Sequence, residues 1–356
     1  MSDQSLADLQ TSQGAVFNAD SGGANLPLDF GDPAAEYARA QDSAAVLDVS
    51  DRTQIEVTGG DRAKFLHNFC TNDVKALRPG QGCEAFVTNV KGRVLGHVFV
   101  FAAPESIWLE SVAGAEKPLL AHLERYVITE DVVLRGRTAD CGELFVTGPR
   151  SAASLVALNL PVESLSQLEH VKVESFEHPC FGRRVDLLGA AGFLLSAPRD
   201  DLAALWRRIT DGGVRPAGTR AFEALRIEAG YPAYGRDVSD ENIAQEAGRT
   251  TQAISFTKGC YLGQEPIARL DALGHTNREL RGLRLADRSV PAIGSKVTDS
   301  SGAQEVGRVT SAALAYADAR GVALAYLRKQ FITPGTELRV DAAGEPVPAT
   351  VFWPHS

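Results

Sequence analysis

The sequence predicts an α+β fold that ends in a small antiparallel β-barrel or jelly roll, and three observations carry that expectation. Strand-like runs alternate with helical ones from Ile55 to about residue 230, a rhythm that suits layered α+β domains. From Arg281 onward the helical patterns fade, and short alternating strands are punctuated by Pro291, Gly294, Gly302, Gly307, Gly321 and Pro334-Gly335. The chain has 356 residues with 44% hydrophobic content, enough for a large core and, at about 150 residues per domain, for two or three domains.

Taken in order, residues 1–30 are rich in Ser, Gly, Ala, Asn and Gln without periodicity, the pattern of a flexible leader. Asp32 can cap a helix with Pro33 at its first position, and Tyr37, Ala40, Ala44 and Leu47 recur at helical spacing. Ile55 and Val57 alternate as a strand, and Gly59-Gly60-Asp61 opens a helix whose apolar face is Phe65, Leu66 and Phe69. Strand-like runs between Cys83 and Glu110 flank a turn at residues 89–92, and an amphipathic helix follows over 118–127. The rhythm repeats through strands at 132–135, 144–147, 183–188 and 192–196 and helices after Pro149 and around 202–209. Residues 219–230 read as a helix with Thr219 as cap, Phe222 and Leu225 as apolar contacts and Gly230 as its end.

Composition removes several function classes. The formal charge is 36 minus 45, or −9, with no long Lys/Arg run, so no nucleic-acid partner is expected. The longest apolar runs, such as residues 94–103, fall short of the roughly 20 residues a membrane helix needs. Residues 1–10 are polar and acidic, without the charged-then-apolar order of a secretory leader, so a soluble, cytoplasmic protein without a membrane partner is expected. Cys70, Cys83, Cys141, Cys180 and Cys260 make an odd count with no CxxC spacing, which argues against a disulfide framework or a metal site. Four of them read as small core hydrophobes, and Cys260 is the exception.

Residues 258–265 read KGCYLGQE, the densest run of reactive groups in the chain. Gly259 and Gly263 allow positive φ and close backbone approach, so the segment can turn sharply and expose the thiol. Lys258 would stabilise a thiolate, lowering its pKa from the free value of roughly 8.5. Gln264 and Glu265 would orient the segment or contact a ligand. The same string is also compatible with a tight connection carrying a buried, inert cysteine.

KGCYLGQE, followed by Arg269 and Gly274, resembles the signature of the YgfZ family of folate-binding proteins, relatives of the glycine-cleavage T-protein, the GcvT aminomethyltransferase. DVS at residues 48–50, GGDRAKFLHNFCTNDV, LRPGQG and LRIEAGYPAYGRD are similar to T-protein segments in the same order. The resemblance implies a GcvT-like arrangement of three domains: two intertwined N-terminal α+β subdomains, one of them ferredoxin-like, over residues 31–275, and a C-terminal antiparallel β-barrel over 276–356. It implies tetrahydrofolate as ligand, iron–sulfur proteins or assembly factors as partners, and Cys260 as the thiol that supports cluster assembly or repair. By the same resemblance Arg226 contacts folate, with Glu228 beside it, Lys91 and Arg93 of the Asn89–Arg93 turn face its anionic tail, and Tyr261, Gln264 and Glu265 complete the site. By composition alone, that basic turn is a solvated hairpin end and Arg226 and Glu228 are surface charges at a helix end.

Two departures separate this chain from the T-protein. Where strings like GGxxDD place an acidic pair for aminomethyl transfer, residues 92–97 read GRVLGH, so Gly96-His97 replaces both carboxylates. Neutral imidazole does not supply the same charge, and His97 in an apolar strand reads as a packed or hydrogen-bonded histidine. Where TGEDG recognises the pterin ring, residues 188–192 read LGAAG. The leading expectation is therefore a YgfZ-like protein. Its thiol would attack an electrophilic carbon, exchange with a disulfide or transiently hold a cluster. The alternatives are a tetrahydrofolate-dependent aminomethyltransferase and a folate-sensing scaffold without chemistry.

Overall fold

Asp32 accepts a hydrogen bond from the Ala35 N–H at 3.0 Å and Pro33 occupies the first turn, so the helix Pro33–Asp42 starts where the capping pattern placed it. It ends before the apolar spacing through Leu47 runs out. Ala45–Asp48 is a strand, with all four residues buried. It lies between an antiparallel neighbour, Cys141–Thr147, and a parallel one, Arg215–Pro216. Apolar side chains on both faces of a central strand produce a continuous run that helical spacing can mimic.

The computed structural model describes residues 5–18, 25–174, 180–274 and 276–353. The chain divides into two compact units. The first takes Met1–His67, Asp73–Glu84 and Val98–Phe222, and the second Asn68–Asn72, Ala85–His97 and Glu223–Ser356.

In the first unit a six-stranded sheet runs in the order His170–Val173, Cys180–Val185, Gly192–Pro198, Cys141–Thr147, Ala45–Asp48, Arg215–Pro216. Helix Leu202–Asp211 lays Leu202, Leu205, Trp206 and Ile209 into the core it shares with Val146, Phe193 and Leu195. A five-stranded sheet has the order Gly82–Thr88, Val94–Ala102, Ser106–Ser111, Thr53–Thr58, Val133–Gly136, and its first two strands contribute residues to both units.

The expected flexible leader needs correction within its described residues. Helix Leu6–Ser12 has a capping box at Ser5 and buries Leu9 in the first unit's core. Gln10 donates to Asp48 at 2.7 Å and Trp206 donates to Gln13 at 2.8 Å. Val16–Phe17 pairs with Pro27–Asp29. Polar composition hid two leucines at positions 6 and 9, a helical spacing too short to register as a periodicity.

The second unit holds the barrel. Strands Arg278–Leu285, Lys296–Asp299, Glu305–Ala315, Arg320–Arg328, Glu337–Ala342 and Glu345–Phe352 close on themselves, all neighbours antiparallel. Strand alternation sends Leu338, Val340 and Ala342 inward while Glu337, Arg339 and Asp341 stay exposed. Leu283, Val297, Val309, Ala325 and Val351 fill the same interior. Among the described residues no helix is long and apolar enough to cross a membrane.

Candidate functional site

The KGCYLGQE segment lies in the second unit and is fastened to it at several points. Ser255 N–H donates to the Thr71 carbonyl at 3.0 Å, and Leu262 N–H to the Asn68 carbonyl at 2.8 Å. Thr88 Oγ1 donates to the Leu262 carbonyl at 2.6 Å. Tyr261 is buried with Phe86, Val94, Ala253 and Ile267, and burial pushes its phenol up to about 12. Gly263 has φ +83°, and a Cβ there would stand 2.3 Å from the Asn89 carbonyl oxygen, so only glycine lets the chain turn into helix Gln264–Leu273. Gly92, φ +69°, meets Pro266 from the other side, where a Cβ would lie 2.9 Å from its ring.

Between these anchors Gly259 and Cys260 are exposed. Cys70, Cys83 and Cys180 are buried and Cys141 is half-buried. Burial pushes the thiols of Cys70 and Cys180 up to about 12 and raises that of Cys141 as well. Cys260 is therefore the one fully exposed thiol among the five.

Lys258 does not sit as the sequence suggested. Its Nζ donates to the carbonyls of Cys70 at 2.6 Å and Asn72 at 3.1 Å, and lies 4.8 Å from the centroid of the Tyr261 ring. Its charge reaches the Cys70 thiol, where it pulls against burial. Only 7% exposed, the ammonium needs such partners, and backbone carbonyls of the 68–72 segment supply them.

Arg226 is also differently engaged. All five of its N–H groups are used: Nε and one Nη2 donor reach Glu223 at 3.0 and 2.9 Å, and the other Nη2 donor reaches Ser311 Oγ at 3.0 Å. Nη1 donates to Asp237 and to the Tyr231 carbonyl, both at 2.7 Å. Burial works against the charge, but Glu223 and Asp237 outweigh it and hold the guanidinium pKa above its usual value. A fork answered in full leaves no N–H over, so a folate contact at Arg226 would have to displace one of these partners. Its neighbour Glu228 accepts from Arg284 at 3.2 Å.

The remaining predicted residues fall around the two interlocked turns. Lys91 is exposed at the turn, while Arg93 donates from Nη1 to the Glu241 carbonyl. Gln264 and Glu265 open their helix, half-buried and exposed respectively. His97 is 5% exposed, with ring centroids 4.8 Å from Phe86 and 5.4 Å from Tyr231, so it is packed between two aromatic rings. The Gly189–Ala190 turn, where the resemblance expects a pterin-binding carboxylate, is exposed and carries none.

Sequence reasoning missed Thr88, which clamps Leu262, and Asp237, which accepts from Arg226, Ala233 N–H, Thr310 and Ser311. Asp237 is the last letter of LRIEAGYPAYGRD, so its position was visible and its partner was not.

It also missed a buried ionic cluster in the first unit. Arg183 donates to Glu143 at 2.7 Å, Arg52 pairs with Glu110 and lies 3.9 Å from Glu143, and Ser196 donates to Gln54 at 2.6 Å. Burial, then the Glu110 charge, pushes the Glu143 carboxyl up to about 8 against the pull of Arg183 and Arg52.

A family model described as the GCVT N-terminal domain matches residues 6–258, and one described as the glycine cleavage T-protein C-terminal barrel domain matches residues 278–355. An aminomethyltransferase of Saccharopolyspora erythraea is 29% identical over 357 residues, covering 97% of this chain and 95% of that protein. An aminomethyltransferase of Thermoanaerobacter pseudethanolicus is 27% identical over 339 residues, 92% of this chain and 90% of its own length. The crystal structure of glycine cleavage system aminomethyltransferase T from Bartonella henselae superimposes with a TM-score of 0.87 at 23% identity, over 97% of this chain and 95% of that one. That likeness establishes the fold: N-terminal α+β domains and a closed six-stranded antiparallel barrel.

Proposed function

The chain belongs to the glycine cleavage T-protein family, and from that premise we propose that it is a folate-binding member whose working group is the Cys260 thiol, in the manner of the YgfZ proteins that support iron–sulfur enzymes. The observation that carries the reading is the built loop. Cys260 stands exposed between anchored neighbours while the other four cysteines are buried or half-buried. Tetrahydrofolate would be the ligand. On this chain Lys91, Gln264 and Glu265 keep side-chain donors and acceptors available around the two interlocked turns, and Arg226 does not.

A second reading, a tetrahydrofolate-dependent aminomethyltransferase, is favoured by the names of the relatives. Against it stands the pair Gly96-His97, where the resemblance implies an acidic pair, with the His97 ring packed between Phe86 and Tyr231. General acid–base groups contribute about 10²–10⁴-fold in rate, so their loss would leave little transfer activity.

Three assays test the reading. In a reconstituted glycine-cleavage system the purified protein should transfer no aminomethyl group, and robust turnover would promote the second reading. In cells lacking the protein, the wild type should restore the activity of iron–sulfur enzymes and Cys260→Ser should not. Brief iodoacetamide treatment with peptide mapping should label Cys260 first, and equal labelling at Cys70 or Cys141 would sink the idea of a presented thiol.

A further inference from the structure

Resting on the reading of Cys260 as the working thiol, we propose that Lys258 is a positioning residue: its ammonium pins the Cys260 turn to the Asn68–Asn72 segment and thereby fixes where the thiol is presented. Lys258 holds one end of the turn through the Cys70 and Asn72 carbonyls. Leu262 holds the other through the Asn68 carbonyl and the Thr88 hydroxyl. Only residues 259–261 lie between, and the Tyr261 side chain is itself in the core. A span that short, clamped at both ends and in its last side chain, leaves Gly259 and Cys260 few alternative courses. The direction of the ammonium supports the same role. It points at backbone carbonyls on one segment and lies against the Tyr261 ring, an arrangement that ties chain to chain.

The distinguishing experiment compares the full-length wild type with Lys258→Met and Thr88→Val. The first removes the ammonium, and the second removes one of the two hydrogen bonds that hold Leu262, without touching any charge. Hydrogen exchange of the 259–263 amides should quicken by about tenfold in both variants, as expected for loss of a buried hydrogen bond that holds a local segment. The pH profile of Cys260 alkylation should stay in place in both, and Lys258→Arg, which keeps donors in reach, should recover part of the protection. Unchanged exchange in Thr88→Val and Lys258→Met overturns the proposal. So does an alkylation profile moved to higher pH in Lys258→Met with exchange unaltered, which would make the lysine a charge that tunes the thiol. Should Lys258→Met fail to fold, Lys258→Gln takes its place, since its shorter neutral side chain cannot span to both carbonyls: faster exchange supports the clamp and unchanged exchange refutes it. Failure of the underlying reading looks different: Cys260→Ser would retain cellular function while the anchoring results stand.

Discussion

Arg183 in the first unit and Arg226 in the second are 1% and 2% exposed, yet they are answered in opposite ways. Arg226 meets two carboxylates, a carbonyl and a hydroxyl with no N–H left over. Arg183 lies 5.1, 5.6 and 5.9 Å from the ring centroids of Phe101, Trp108 and Phe181 and pairs with Glu143. Around it Arg183 Nε, Gln54 Nε2, Glu110 Oε2 and Glu143 Oε2 make no hydrogen bond within the protein. A saturated network fixes one arrangement, because any displacement breaks several charge-assisted bonds at once. An incompletely answered one leaves a buried carboxyl close to its protonation threshold, so that pH acts on it. The contrast gives Arg226 the geometry of a cross-link within the second unit and leaves a buried carboxyl with a raised pKa, Glu143, in the first.

The largest expected effect tests the saturated side. Asp237→Ala should cost about 3–5 kcal/mol, the range for breaking a buried pair and leaving its arginine uncompensated. Urea unfolding measures it, and a cost under about 1 kcal/mol would mean that Arg226 is free to serve a ligand after all.

Next comes the incompletely answered side. The folded Glu143 carboxyl is raised from 4.5 to about 8, so the folded state holds a proton the unfolded chain has released. That contribution to stability is whole below about 4.5 and is lost as pH rises toward about 8. His170 acts in the other sense: burial, together with the Arg183 charge, lowers it from 6.5 to about 4, so its contribution is whole above 6.5 and fades as pH falls. The two slopes oppose each other below about 6.5 and only the decline of Glu143 remains above. Melting curves between those limits should show stability falling with pH by at most about 1.4 kcal/mol per unit, and Glu143→Gln should flatten the fall. A variant with the wild-type slope would place the titrating group elsewhere.

The smallest effect sits at the rim of the saturated network. Arg236 reaches Glu223 from a position 45% exposed, so Arg236→Ala should cost less than about 1 kcal/mol in the same urea experiment. A larger cost would extend the rigid network to the surface.

These networks also mark where sequence reasoning stopped. Helix caps, the barrel's punctuating glycines and prolines, and the exposed Cys260 turn are local, and Asp32-Pro33, Pro334-Gly335 and KGCYLGQE could be read in place. The direction of a long cation is not local. Arg226 finds Ser311 85 positions away, and Lys258 finds Cys70 188 positions away. A charged letter near a cysteine or at a helix end suggested a ligand contact, and its partners in the fold, a distant hydroxyl for Arg226 and distant carbonyls for Lys258, could not be read from its neighbours. Residues 6–12 escaped for a different reason: two leucines were enough to seat a helix once a core was present to receive them.

The separation between Lys258 and its platform has a consequence for how the chain is made. The Cys70 carbonyl leaves the ribosome 188 residues before the lysine that caps it, and at about 5–20 residues per second that gap lasts roughly 10–40 s. The barrel waits as well, because strand Arg278–Leu285 closes against Glu345–Phe352, translated later still. During synthesis the Asn68–Asn72 segment can pair with Phe86 and Val87 but lacks its ammonium for that interval, and we expect the Cys70 thiol to stay open to oxidants until the later segment arrives. Thiol labelling of stalled nascent chains should find Cys70 reactive until residue 258 has emerged and protected soon afterwards.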